Sequence, residues 1–119
     1  MSVVLTTREV RNVLVLNISG RLTVSDDNLR DTVAQFLKAG KREFVLKMSD
    51  VSYMDSCGLG ELVTVYISVT NSGGRVRLLA PSARVRALLR LTRLDSVFDI
   101  LEDAALFEVK SASAGFKAS

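Results

Sequence analysis

The order and period of the apolar residues predict a single α/β domain, with a mixed β-sheet packed against helices. Three observations predict it. Two alternating apolar runs stand back to back at the N-terminus around a short polar turn, which is the pattern of a hairpin. Each later strand-like run is separated from the next by a segment of helical period, which makes the remaining strands parallel neighbours. The 119 residues, 48% hydrophobic and 24% charged, suit one compact core and leave little chain for a second.

The first element alternates over residues 4–10 and the second over 13–19, joined at Arg11-Asn12. Gly20 breaks the alternation, and from Ser25 the period lengthens: Leu29, Val33, Phe36 and Leu37 share one helical face. Ser25 or Asp26 is the expected cap of that helix, and Gly40 its stop. Residues 44–48, Phe-Val-Leu-Lys-Met, form a short apolar run expected to be a central strand buried on both faces. A loop is expected from Ser49 to Asp55.

A second helix follows, with Leu59, Leu62, Val63, Tyr66 and Val69 at helical spacing and Gly73-Gly74 at its end. Residues 75–79 alternate as a strand. Pro81 and Ser82 open a third helix that turns Val85, Leu88 and Leu89 inward and its arginines outward. A short strand over 97–100 and a helical turn at 103–107 complete the domain, expected to span residues 1–110. The tail 111–119, mostly Ser and Ala, is expected to fray.

Composition excludes several kinds of chemistry. The chain has no histidine, which removes Ser-His-Asp and Cys-His catalysis and histidine-bearing metal sites. Its one cysteine, Cys57, forms no internal disulfide, in keeping with a reducing compartment. No run reaches the roughly 18 uncharged apolar residues of a membrane span. Residues 1–9 lack the layout of a secretory signal, so a cytoplasmic location is expected. No cofactor or metal is expected.

The net charge is +3, and Arg75, Arg77, Arg84, Arg86, Arg90 and Arg93 follow one another with no acidic residue between them. Such a segment can be a solvated surface, or can face an acidic partner, a membrane or nucleic acid. It lacks the interleaved aromatics of single-strand recognition, and direct nucleic-acid binding is not expected.

The most informative stretch runs from Asp50 to Glu61, Asp-Val-Ser-Tyr-Met-Asp-Ser-Cys-Gly-Leu-Gly-Glu. Asp55 and Ser56 fall where the second helix begins, so unpaired N–H groups and the positive helix end point there. That end favours an anion such as phosphate. Two readings of the residues stand side by side: Ser56 accepts a phosphoryl group, or Asp55 or Ser56 only caps the helix. Gly58-Leu59-Gly60 is a poor dinucleotide motif, because Val63 occupies the third glycine position. Cys57 fits a small half-buried residue, and Asp50, Asp55 and Glu61 fit ordinary surface carboxylates better than a cation site.

This stretch resembles the signature of bacterial anti-sigma-factor antagonists of the STAS family, which reads Met-Asp-Ser-Ser/Thr-Gly-Leu-Gly after a short apolar strand. The Gly20-Arg21-Leu22 turn, Gly73-Gly74 and the Val85-Arg86-Ala87-Leu88-Leu89 helix are similar too, so the likeness covers roughly residues 3–100. It implies a STAS-like sandwich. It also implies a protein that, unphosphorylated, binds an anti-sigma factor that is a GHKL-type serine kinase and thereby frees the sigma factor. Ser56 is then the phosphorylated residue, and a serine phosphatase reverses the mark.

Asp55, Cys57, Gly58, Leu59, Gly60 and Thr23 are the partner-binding positions that the resemblance implies, and the chain is expected to be a monomer or weak dimer. Cys57 stands where Ser or Thr is usual, and Thr23 where an aspartate often follows the turn. A STAS scaffold or transporter-associated subunit is the alternative role. An enzyme is not expected, since carboxylate-only hydrolysis needs two acids facing across a cleft and no such pair stands out in the sequence.

Overall fold

The computed structural model describes residues 3–23 and 28–102, the side chain of Asn28 excepted. Strand β1 (Val3–Val10) and strand β2 (Val13–Leu22) pair antiparallel from Val3↔Gly20 to Val10↔Val13. Arg11 and Asn12 both adopt positive φ, 51° and 73°, which is what a two-residue hairpin needs to match the twist of its strands.

Helix α1 (Asn28–Lys38), strand β3 (Glu43–Met54), helix α2 (Ser56–Asn71), strand β4 (Arg75–Leu79), helix α3 (Ala83–Leu91) and strand β5 (Asp99–Leu101) follow, with a 3₁₀ turn at Leu94–Ser96. The sheet order is β1-β2-β3-β4-β5, and every pair after the first is parallel. Because the chain adds each parallel strand on the same side of the last, right-handed crossovers carry all three helices to one face. The α/β class and the mixed sheet agree with the sequence. The expected cap at Ser25 or Asp26, the turn at 103–107 and the tail 111–119 lie outside the described residues.

The core sits between that face and the helices. Leu14, Leu16 and Ile18 of β2, Phe44, Leu46 and Met48 of β3 and Leu78 of β4 meet Leu29 and Val33 of α1, Leu62 and Val69 of α2, and Val85 and Leu89 of α3. Each such side chain, once fully buried, contributes about 1.5–3 kcal/mol before entropy is charged against it. Val15, Val45 and Leu79 form a smaller cluster on the opposite face. Phe44, Val45 and Leu46 are thus all buried, as a central strand requires.

The expected loop at 49–55 is instead strand as far as Met54. β2 and β3 stay paired to Leu22↔Met54, but the register shifts twice, between Asn17 and Ser19 and again between Gly20 and Arg21. At each shift β3 carries one residue more than β2, which defines a bulge. Inward residues therefore recur every third position, at Met48, Val51 and Met54. That spacing hid the strand from a search for strict alternation.

The start of α3 is fastened to this bulged stretch. The Ser82 hydroxyl donates to the Val51 carbonyl at 2.8 Å, and the Ser82 N–H donates to the Met48 carbonyl at 3.1 Å.

Candidate functional site

In a parallel sheet the C-terminal strand ends and the following helix starts lie along one rim, where the free N–H groups of the helices point outward. β2 and β3 reach that rim together. Leu22 pairs with Met54, so Thr23 and Asp55, the next residues of each chain segment, emerge side by side. Thr23 and Asp55 are half-buried, and Ser56 and Cys57 are exposed.

Asp55 is the N-cap of α2, with extended backbone and a carboxylate that accepts from the Gly58 N–H at 2.9 Å. Its carbonyl accepts the Leu59 N–H at 2.9 Å, closing the first helical bond. Ser56 is therefore the first helical residue, beside N–H groups that have no intrahelical acceptor. The positive end of a 16-residue helix acts on its hydroxyl. The aspartate thus caps the helix, and the serine is left open to solvent.

Gly58 is buried for a packing reason. A Cβ at this position would lie 2.0 Å from the Leu22 carbonyl oxygen and 3.0 Å from the Met54 side chain. Only a glycine lets α2 start this close to the end of β2. Leu59 belongs to the hydrophobic core at 6% exposure. Gly60 is exposed, and a Cβ there would meet open space. Of the expected positions, the structure brings Thr23, Asp55, Ser56 and Cys57 to the rim, whereas Gly58 and Leu59 face the interior.

The exposed side of α2 carries no charge from Ser56 to Asn71. Its one charged residue, Glu61, is buried beside Arg30 of α1, with the guanidinium 3.7 Å away. Asp50 is exposed on β3, so Asp50, Asp55 and Glu61 point to three different tasks. No group of three or more acidic or thiol side chains fit for a metal occurs among the described residues.

The arginines from 75 to 93 do not form one face. Arg75 pairs with Asp99 at 3.2 Å, and Arg86 pairs with Glu102. Burial, with the Arg75 charge beside it, holds the Arg77 guanidinium below its ordinary pKa. Arg84 instead reaches the rim. Its guanidinium lies 4.6 Å from the centre of the Tyr53 ring, and Arg21 of β2 lies 4.4 Å from the same ring. The sequence did not disclose this grouping, because the three residues are drawn from β2, β3 and α3. Only the register of the bulged strand aligns Arg21 with Tyr53.

Fold and rim together are those of a small α/β domain whose exposed serine begins a helix. The chain belongs to the STAS domain family, whose signature it matches over residues 5–108. It is 32% identical over 101 residues to the anti-sigma-B factor antagonist of Bacillus subtilis, covering 84% of this chain and 92% of that protein. The crystal structure of TM1081 from Thermotoga maritima is similar with a TM-score of 0.79 at 27% identity, over 91% of this chain and 94% of that one. SpoIIAA in its unphosphorylated form shares the fold with a TM-score of 0.71 at 18% identity, over 92% and 98% of the two chains. Its phosphorylated form from Bacillus gives 0.70 at 19%, over 88% and 97%. No described helix is long and apolar enough to cross a membrane.

Proposed function

We propose that this chain is an anti-sigma factor antagonist switched by phosphorylation of Ser56. The unphosphorylated form binds an anti-sigma factor that is also a GHKL-type serine kinase, and that binding frees the sigma factor. The observation that carries this reading is the placement of Ser56: exposed, first in α2, directly after a capping Asp55. The antagonist relatives support it.

In the modification, the Ser56 hydroxyl oxygen attacks the γ-phosphorus of ATP. The new O–P bond forms as the bond to the β–γ bridging oxygen breaks, ADP leaves, and the hydroxyl proton passes to a base of the kinase. The product carries about −1.5 to −2 charge at neutral pH. The N–H groups and dipole at the start of α2 tolerate that charge, so the domain stays folded. A partner shaped for a neutral hydroxyl meets both bulk and charge, and like-charge contact across an interface costs several kcal/mol, with every 1.4 kcal/mol a tenfold loss of affinity. A serine phosphatase returns the hydroxyl by hydrolysis of the O–P bond.

Peptide mass spectrometry after incubation with ATP and each anti-sigma kinase of the same genome tests the reading. One phosphate on Ser56, absent from Ser56→Ala, is the expected result. A folded protein that takes no phosphate from any of them counts against it.

A further inference from the structure

The rim around Tyr53, three residues before Ser56, holds two guanidiniums that no carboxylate pairs with among the described residues. Arg21 and Arg84 are both exposed, and neither forms an ion pair among the described residues. Their shared contact is the Tyr53 ring, 4.4 Å from the Arg21 guanidinium and 4.6 Å from that of Arg84. Stacking on an aromatic face restrains a side chain that is otherwise rich in rotamers, and leaves the N–H edge of the guanidinium free. That edge matches the two oxygens of a carboxylate.

Among the described residues, the nearest neighbours along the chain offer these guanidiniums no ion pair. Thr23 carries no charge, and the Asp55 carboxylate accepts the Gly58 N–H. Asp50 is exposed on the same strand yet pairs with neither arginine. Beyond Ser56 the outer side of α2 is uncharged, with Gly60, Thr64 and Ile67 exposed. A neutral helix face with a preordered positive pair at one end is a docking surface with a definite polarity.

We propose that Arg21 and Arg84, held against Tyr53, receive an acidic side chain of the protein that docks over Ser56. The proposal rests on the function argued above, with the anti-sigma kinase as that protein. It adds that the kinase presents a carboxylate to the antagonist, and that this contact selects the right kinase among several. Arginine and tyrosine in such a cluster are the residue types that dominate binding at interface centres.

The test measures binding of the full chain to the kinase that phosphorylates Ser56, by interferometry, at low and high salt. Arg21→Ala and Arg84→Ala are each expected to weaken binding about tenfold, and Arg84→Glu about a hundredfold, mostly through slower association. Tyr53→Leu, which keeps both charges but removes the ring, is expected to lose a few-fold. Replacing the kinase's facing carboxylate with lysine is expected to restore binding to Arg84→Glu. That rescue separates recognition from any damage to the fold, which thermal unfolding of each variant checks directly.

Binding by Arg21→Glu and Arg84→Glu within twofold of wild type overturns the proposal while leaving the Ser56 switch intact. A wild-type chain that binds none of the kinases overturns both. Equal affinity for mixed-sequence duplex DNA, abolished by the same substitutions, assigns the arginines to nucleic acid and also overturns it.

Discussion

Asp55 has two properties that a single truncation removes together, a capping oxygen and a negative charge beside Ser56. Asp55→Ala is expected to cost about 1 kcal/mol of stability, the ordinary worth of an N-cap. Asp55→Asn keeps an oxygen for the Gly58 N–H, 2.9 Å away in the wild type, and removes only the charge. Urea unfolding of both variants separates the two. If phosphorylation slows in Asn as in Ala while stability falls only in Ala, the charge serves the modification and the oxygen serves the helix. Three residues on, Gly58→Ala is expected to destabilise by about 3 kcal/mol, since overpacking against backbone has no side chain to yield. Its Cβ would lie 2.0 Å from the Leu22 carbonyl oxygen. An unfolding midpoint unchanged by that substitution would sink the packing account of this glycine.

At the scale of elements, the helices and the hairpin were legible because their apolar residues keep a fixed period. Leu29 and Val33 of α1 and Leu59, Leu62 and Val69 of α2 are buried at the positions their spacing implies, whereas Val63 and Tyr66 are half-buried and Val65, not expected, is buried. Arg11-Asn12 is the hairpin turn that the two alternating runs require. The end of β3 was not legible: two bulges change its inward spacing from two to three, and sequence alone has no rule for where a bulge falls. The Arg21–Tyr53–Arg84 group depends on that same register and was hidden with it.

The three-residue β5 was foreseen about two residues early. Its position is set by the parallel ladder with β4, from Arg77↔Asp99 to Leu79↔Leu101, and flanked by the surface pairs Arg75 with Asp99 and Arg86 with Glu102. The hydrogen bond from Arg86 holds the Glu102 carboxyl below the usual carboxylate range. A depressed carboxyl contributes its stability above its unfolded pKa and loses it as pH falls through the folded value. The Glu102 carboxyl, followed by NMR, is therefore expected to titrate below an ordinary glutamate, and to return to the ordinary range in Arg86→Ala. Since the pair is exposed, the midpoint of thermal unfolding at neutral pH is expected to move little.

For the whole molecule, one topological fact organises the rest. Strands added in a single direction with right-handed crossovers place three helices on one face and gather helix starts and strand ends on one rim. The rim can change its charge without disturbing a core built from Leu16, Phe44, Leu46 and Leu62, all fully buried. Ser56→Asp is accordingly expected to unfold within about 1 kcal/mol of wild type, a negative residue at a helix start being tolerated or favourable. The same variant is expected to bind the kinase at least tenfold more weakly. Equal binding would show that charge is not what the partner rejects.

The bulged end of β3 has a further consequence, for how this scaffold diverges. A regular strand shows every second side chain to solvent. Here Met48, Val51 and Met54 point inward, while Ser49, Asp50 and Ser52 are exposed and Tyr53 half-exposed between them. Two positions in three are thus free of the core, in the stretch that leads to Ser56. Those four residues can therefore vary while the three inward residues keep the same sandwich standing.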